Sequence, residues 1–248
     1  MTRYFKMIVI LFAFLFVCAC SNNDNIYNLK TVSSSEFNYR VSSDEEDVLK
    51  ANVMIFNENY SSFLGLNYKE NNSYGSGVIY NSDDSYYYVL TNNHVVNYDY
   101  EYNNHELIIE DYYFNRYKGE VIYSDAAYDL AIVRFEKNYD LKALTISQEA
   151  DVRNSVRSMG NPGSVKNVIN NGMINCFTYI KMNSEESKVD FEVIVHSAPI
   201  AGGSSGGALL NSKNEIIGIT FAGVFDNNGQ FITGYAIPSD KIIEFLSK

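Results

Sequence analysis

Three short stretches carry side chains that could do covalent chemistry together. In Gly203-Ser204-Ser205-Gly206-Gly207, glycines flank the serines and let the backbone reach positive φ, so that successive N–H groups can converge on one point beside a hydroxyl. An acyl-transfer nucleophile with an oxyanion hole needs that arrangement. Ser205, followed directly by Gly-Gly, is the nucleophile candidate ahead of Ser204. Taken alone, the pentapeptide reads equally as a hairpin turn or a linker. Leu90-Thr91-Asn92-Asn93-His94 ends a β-prone run on an imidazole, the side chain suited to take and return a proton near neutral pH. Tyr128-Asp129-Leu130-Ala131 puts a carboxylate at the mouth of an apolar strand, where it could hold that imidazole in one tautomer. A serine hydroxyl is inert without such a base.

The chain order histidine, aspartate, serine differs from the subtilisin and α/β-hydrolase orders and is that of the chymotrypsin-like barrels. The three stretches resemble the catalytic motifs of trypsin-like serine proteases, particularly the bacterial Deg/HtrA type, whose patterns read T-N-x-H-V-V, D-L-A-[VIL] and G-N-S-G-G. Three further stretches, Gly75-Ser76-Gly77-Val78-Ile79, Met159-Gly160-Asn161-Pro162 and Gly234-Tyr235-Ala236-Ile237-Pro238, resemble other motifs of that family in the same order. The similarity runs from about Asp47 to the C-terminus. It departs at 196–204, where His196-Ser197 and Ala201-Gly202 replace the usual Thr-Asp and Asn-Pro beside the nucleophile loop.

The resemblance implies a serine endopeptidase acting on proteins or peptides through His94, Asp129 and Ser205 and an acyl-enzyme, with the amides of Gly203 and Ser205 as the oxyanion hole. It places the floor of the specificity pocket near Pro199 and Ile200 and its wall along Thr220-Phe221-Ala222-Gly223. No acidic residue lies at that floor, so a small or medium apolar residue before the scissile bond is expected rather than Lys or Arg. Deg-type sites are often held with a disordered loop until something orders it, and the glycines at 202, 203, 206 and 207 would permit that. The protease domain is expected here without the PDZ module of its relatives. The alternative is a non-catalytic surface lipoprotein that binds a peptide or protein on the same scaffold.

Elements to position these residues follow from apolar runs separated by Asn, Asp, Gly and Ser clusters. The spacing predicts an all-β fold of two six-stranded antiparallel barrels, about 51–136 and 149–237, followed by a C-terminal helix at about 239–247 with Ser239 as its N-cap. Strands are expected at 51–57, 77–80, 86–91, 106–112, 118–123 and 129–135, with 137–148 as the connection. The second barrel offers seven candidates for six places: 155–159, 164–170, 173–182, 191–197, 207–211, 215–223 and 230–236. His94 and Asp129 then lie on the first barrel and Ser205 on the second, with the substrate cleft between them.

Arg3 and Lys6 precede an apolar run from Met7 to Ala19, short for a membrane span and suited to an export signal. Val17-Cys18-Ala19-Cys20 resembles the lipobox of bacterial lipoproteins, which implies a signal peptide at 1–19, lipidation of Cys20 and anchoring to the bacterial cell membrane or surface. The Ser/Asn-rich residues 20–46 read as a tether, whose acidic end, Asp44 to Asp47, opens a short helix. Loss of the signal removes two basic groups and no acid, taking the net charge from −11 to −13. That charge excludes nucleic acid and anionic lipid as partners recognised through basic patches. Cys176 would be the remaining thiol, expected to pack as a small apolar residue. His105 reads as a surface group, and His196 either as core or as a tuner of the pocket. Three histidines without ligand spacing predict no metal site, and no cofactor is expected.

Overall fold

The computed structural model describes residues 43–248. The expected signal peptide, Cys20 and the tether up to residue 42 lie outside the described residues. A short helix, α1 (Ser43–Leu49), leads into β1 (Asn52–Phe63) and β2 (Leu66–Ser82), a hairpin far longer than its apolar ends foretell. Leu64 and Gly65, both at positive φ, make its two-residue turn, and pairing continues through polar residues that the sequence pattern does not mark as strand. Then come β3 (Tyr86–Thr91), a single turn α2 (Asn93–Val96), β4 (Asn104–Glu110), β5 (Arg116–Lys118), β6 (Glu120–Asp125) and β7 (Leu130–Glu136). They form a seven-stranded antiparallel sheet in the order β5-β4-β1-β2-β3-β7-β6. The extra strand arises because Gly119 breaks one expected strand in two, its amide turning aside to the Leu107 carbonyl at 2.7 Å.

The second sheet closes into a barrel of six strands: β8 (Ser155–Gly160), β9 (Val168–Lys181), β10 (Asp190–His196), β11 (Ala208–Leu210), β12 (Ile216–Phe225) and β13 (Phe231–Pro238). The surplus candidate disappears because two of them are one strand. Asn170-Asn171-Gly172 reads as a turn, yet it lies inside β9, paired with β8. Glycine is there for close approach: a Cβ at 172 would stand 2.1 Å from the Ala198 nitrogen. Cys176 is also on β9 and is exposed, contrary to expectation. The β9–β10 register skips a residue between Ile174 and Cys176, so the alternation inverts and Ile174 is buried while Cys176 faces out.

Helix α3 (Ser239–Leu246) closes the chain. Its cap position is held by Pro238 rather than Ser239, and no side chain caps it. Ile242 and Phe245 are fully buried, and Phe245 stacks on Tyr123 of the first sheet at 5.1 Å, so the helix braces both barrels. One contiguous apolar core runs from Val53, Ile79 and Leu90 in the first sheet to Ala208, Ile219 and Ile237 in the second. The connection at 137–148 packs on both, through a Leu144 amide bond to the Ile79 carbonyl (2.9 Å) and a bridge from Ile146 to Ile216. This is the mostly-β double-barrel architecture with a C-terminal helix that the sequence predicts. Because Gly172 is packed against backbone, Gly172→Ala is expected to cost roughly 1–3 kcal/mol, read as a lower midpoint in urea or thermal unfolding.

Candidate active site

Pairing of β3 with β7 puts Thr91 opposite Ala131, and so sets the turn after one strand beside the turn before the other. His94 leaves the first turn and Asp129 the second. Asp129 is fully buried at φ +52, a conformation that a non-glycine residue holds only where its surroundings impose it. Its Oδ2 lies 2.8 Å from His94 Nδ1, and its Oδ1 accepts the His94 backbone N–H at 3.1 Å. Asn92 Nδ2 donates to the Asp129 carbonyl (2.9 Å), while Asn57 holds the far end of α2 by its carbonyls at Val95 and Asn97. A carboxylate can only accept, so Nδ1 carries the ring proton of neutral His94 and Nε2 is left as the acceptor. Burial disfavours the charged imidazolium, but the Asp129 carboxylate and the charge of Glu186 outweigh it and hold the His94 pKa above its ordinary value.

Ser205 sits on the loop from β10 to β11, half-buried on the opposite wall of the same cleft. Its hydroxyl donates to the Phe221 carbonyl at 3.5 Å, and among the described residues no hydrogen bond joins it to His94. Ser204 also borders the cleft but is buried, its Oγ accepting the Ala201 amide at 3.1 Å and closing a turn. The loop turns at Gly203 (φ +92) and Gly206 (φ +85), both packed too closely for a Cβ. The amides of Ser204, Gly206 and Gly207 bond within the fold. Those of Gly203 and Ser205, both residues lining the cleft, have no protein acceptor among the described residues, which leaves two donors for a ligand.

The cleft has a volume of about 740 Å³. Ile200, Thr220, Phe221, Ala222 and Gly223 line it, joined by Phe225. Pro199 does not: it is exposed, and its carbonyl accepts Ser158 Oγ and Asn170 Nδ2 behind the loop, each at 2.9 Å. The sequence reading missed the acidic wall. Asp99 and Glu101 from the first barrel and Glu185 and Glu186 from the β9–β10 loop line the cleft; Glu101 is paired with Lys69 at 2.9 Å, and no Lys or Arg is among the residues lining the cleft. Asn93 Nδ2 bridges the barrels to the Glu186 carbonyl at 2.8 Å. The only sequence signal for this wall was the overall acidic balance. His105 is exposed on β4 and does not line the cleft, though its ring lies against Tyr98 and its Nδ1 is 2.8 Å from Asn59 Oδ1, two residues that do.

The family model for the trypsin-like peptidase domain matches residues 75–219. The chain is 30% identical over 137 residues to human serine protease HTRA4, 31% over 134 to the mitochondrial serine protease HTRA2 of Bos taurus, and 30% over 129 to a probable periplasmic DegP-like serine endoprotease of Buchnera aphidicola. These matches take in 54%, 53% and 51% of the chain but 27%, 28% and 26% of the relatives. The chain therefore spans well under a third of each relative's length.

His196, at the end of β10, is fully buried with its ring against Gly234, so it belongs to the core and not to the pocket wall. Neither ring nitrogen makes a well-formed hydrogen bond, and burial outweighs the help of the Ala198 backbone to push its pKa down from 6.5 to about 4. Between those values the unfolded chain binds the proton and the folded one does not, so this group's contribution is complete above pH 6.5 and is lost as pH falls to about 4. The loss amounts to roughly 3 kcal/mol. Urea unfolding across that window is expected to show a shallower pH dependence in His196→Leu than in the parent chain.

Proposed function

The chain belongs to the trypsin-like peptidase domain family, and we propose that it is a serine endopeptidase using His94, Asp129 and Ser205. In the proposed reaction Ser205 Oγ attacks a peptide carbonyl while His94 Nε2 takes its proton. Asp129 holds the imidazole and stabilises its charged form, and the amides of Gly203 and Ser205 receive the oxyanion. His94 then returns the proton to the departing amine, and water cleaves the acyl-enzyme by the same route. The observation that carries this reading is the buried, doubly hydrogen-bonded Asp129–His94 pair facing two unclaimed amides across one cleft. The separation of Ser205 from His94 is compatible with it, since catalytic hydrogen bonds are often long before substrate binds.

The pocket walls of Ile200, Phe221, Ala222 and Phe225 favour an apolar residue before the scissile bond, and the acidic wall favours basic residues flanking it. Export and lipid anchoring through Cys20 are part of the proposal and rest on residues 1–20, supported by the periplasmic description of the DegP-like relatives. No helix among the described residues is long and apolar enough to cross a membrane.

Fluorophosphonate labelling of the full chain tests the nucleophile. Labelling is expected to vanish in Ser205→Ala and persist in Ser204→Ala, with peptide hydrolysis by Ser205→Ala falling by about 10⁶-fold. Persistent labelling of Ser205→Ala would overturn the assignment. The base is tested by pH. Hydrolysis is expected to rise with pH through an apparent pKa above 6.5 as His94 loses its proton, and Glu186→Gln, removing a charge that favours the imidazolium, is expected to move that midpoint down.

A further inference from the structure

We infer that Ser76, on the first barrel, is a positioning residue for the nucleophile loop of the second, holding the peptide between the two oxyanion donors in its working orientation. This rests on the peptidase reading above. Ser76 is fully buried on β2. Its Oγ lies 2.7 Å from the Gly203 carbonyl oxygen, and it also receives the backbone N–H of Asn161 at 2.8 Å and Asn161 Nδ2 at 3.1 Å. A hydroxyl has one proton and two lone pairs. Asn161 occupies both lone pairs, so the proton has one destination, the Gly203 carbonyl. The bond has a fixed sense, unlike that of a hydroxyl free to rotate.

Consecutive peptide planes of the loop are each held by a hydrogen-bond partner within the fold. The Gly202 carbonyl accepts the Gly163 amide at 2.7 Å; in a trans peptide the N–H points opposite, which turns the Gly203 amide into the cleft. The next carbonyl, Gly203, takes the Ser76 proton, and the N–H of that peptide, on Ser204, goes to the Ala201 carbonyl at 3.0 Å. The Ser204 carbonyl accepts the Gly207 amide at 2.9 Å, which turns the Ser205 amide into the cleft. The Ser205 carbonyl accepts the backbone N–H of Ser76 at 2.7 Å. Ser76 thus holds the middle peptide by its side chain and the nucleophile's own carbonyl by its main chain. Only the side-chain bond can be removed by substitution, and it fixes the plane on which both oxyanion donors hinge.

Ser76→Ala leaves the Gly203 carbonyl and two Asn161 donors without their partner. Ser76→Cys keeps nearly the same volume with a much weaker donor, and it is read alongside in case the alanine variant does not fold. For the folded variants, turnover of a fluorogenic peptide is expected to fall about 10- to 100-fold with KM unchanged. Inhibition by a peptide aldehyde, whose adduct fills the oxyanion hole, is expected to weaken by the same factor. Hydrogen exchange of the Ser204 amide, measured on the full chain, is expected to speed up about tenfold or more, and this readout does not depend on turnover. A folded variant with parental kcat, aldehyde affinity and Ser204 exchange would overturn the inference, as would a loss confined to KM. A parent chain that neither labels with fluorophosphonate nor cleaves peptide would overturn the peptidase reading instead, and Ser204 exchange would still decide the role of Ser76.

Discussion

A buried hydrogen-bonded seam between the two sheets is the constraint on which the molecule's working arrangement depends. Asn52, Ser76, Thr91 and Asn161 are all fully buried. Asn52 Nδ2 donates to Asn161 Oδ1 (2.8 Å) and Asn167 Oδ1 (2.9 Å), Asn161 Nδ2 reaches the Val53 carbonyl, and Thr91 Oγ1 donates to the Ser76 carbonyl. An apolar contact between the barrels would tolerate sliding, since dispersion has no direction. A polar one does not, because each buried donor or acceptor left unpaired costs about 1–3 kcal/mol. The seam therefore fixes the relative placement of two sheets that share an apolar core, and the residues that would act together come from both of them.

The same constraint reaches the residues that would do the chemistry. Asp129 among them holds positive φ, as do Gly203 and Gly206 of the nucleophile loop. Thr91, which bonds Ser76, is the last residue of the strand that delivers His94, and it faces the strand that Asp129 opens. One side chain on each of β2 and β3 thus connects the base and the loop of the nucleophile. The geometry of each half is not independent of the other, even though they belong to different sheets.

Much of this was legible in the sequence, for physical reasons that also explain what was not. His94, Asp129 and Ser205 were readable as candidates because the roles proposed for them demand particular residue types in particular order, and apolar runs beside them marked β3, β7 and β11. The polar length of the β1–β2 hairpin was not, because its pairing rests on main-chain bonds that leave no hydrophobic period. Asn170-Asn171-Gly172 misled because a glycine that permits a turn and one that permits close contact look alike until the neighbour, Ala198, is known. Cys176 was placed on the wrong face because a one-residue register shift against β10 is invisible in the pattern of β9 alone. The acidic wall was hidden because Asp99, Glu101, Glu185 and Glu186 come from loops far apart in the chain.

The nucleophile loop shows why glycine content alone does not settle how a loop behaves. Four glycines in six residues read as freedom to reorder, and in an isolated chain they would be. Here a Cβ on Gly203 would stand 2.4 Å from the Tyr74 ring, and one on Gly206 would stand 2.1 Å from the Ser76 carbonyl oxygen. These glycines serve closeness: they let the loop lie against β2 near enough for main chain and hydroxyl to bond it. Glycine raises the entropy that must be lost to order the loop, by about 0.5–1 kcal/mol per residue. The bonds from Ser76, Gly163 and Thr220 must offset that cost. The order of this loop is accordingly a property of the first barrel and the 161–163 turn as much as of its own sequence. A ligand or partner that shifted β2 by an ångström would change the loop without touching it.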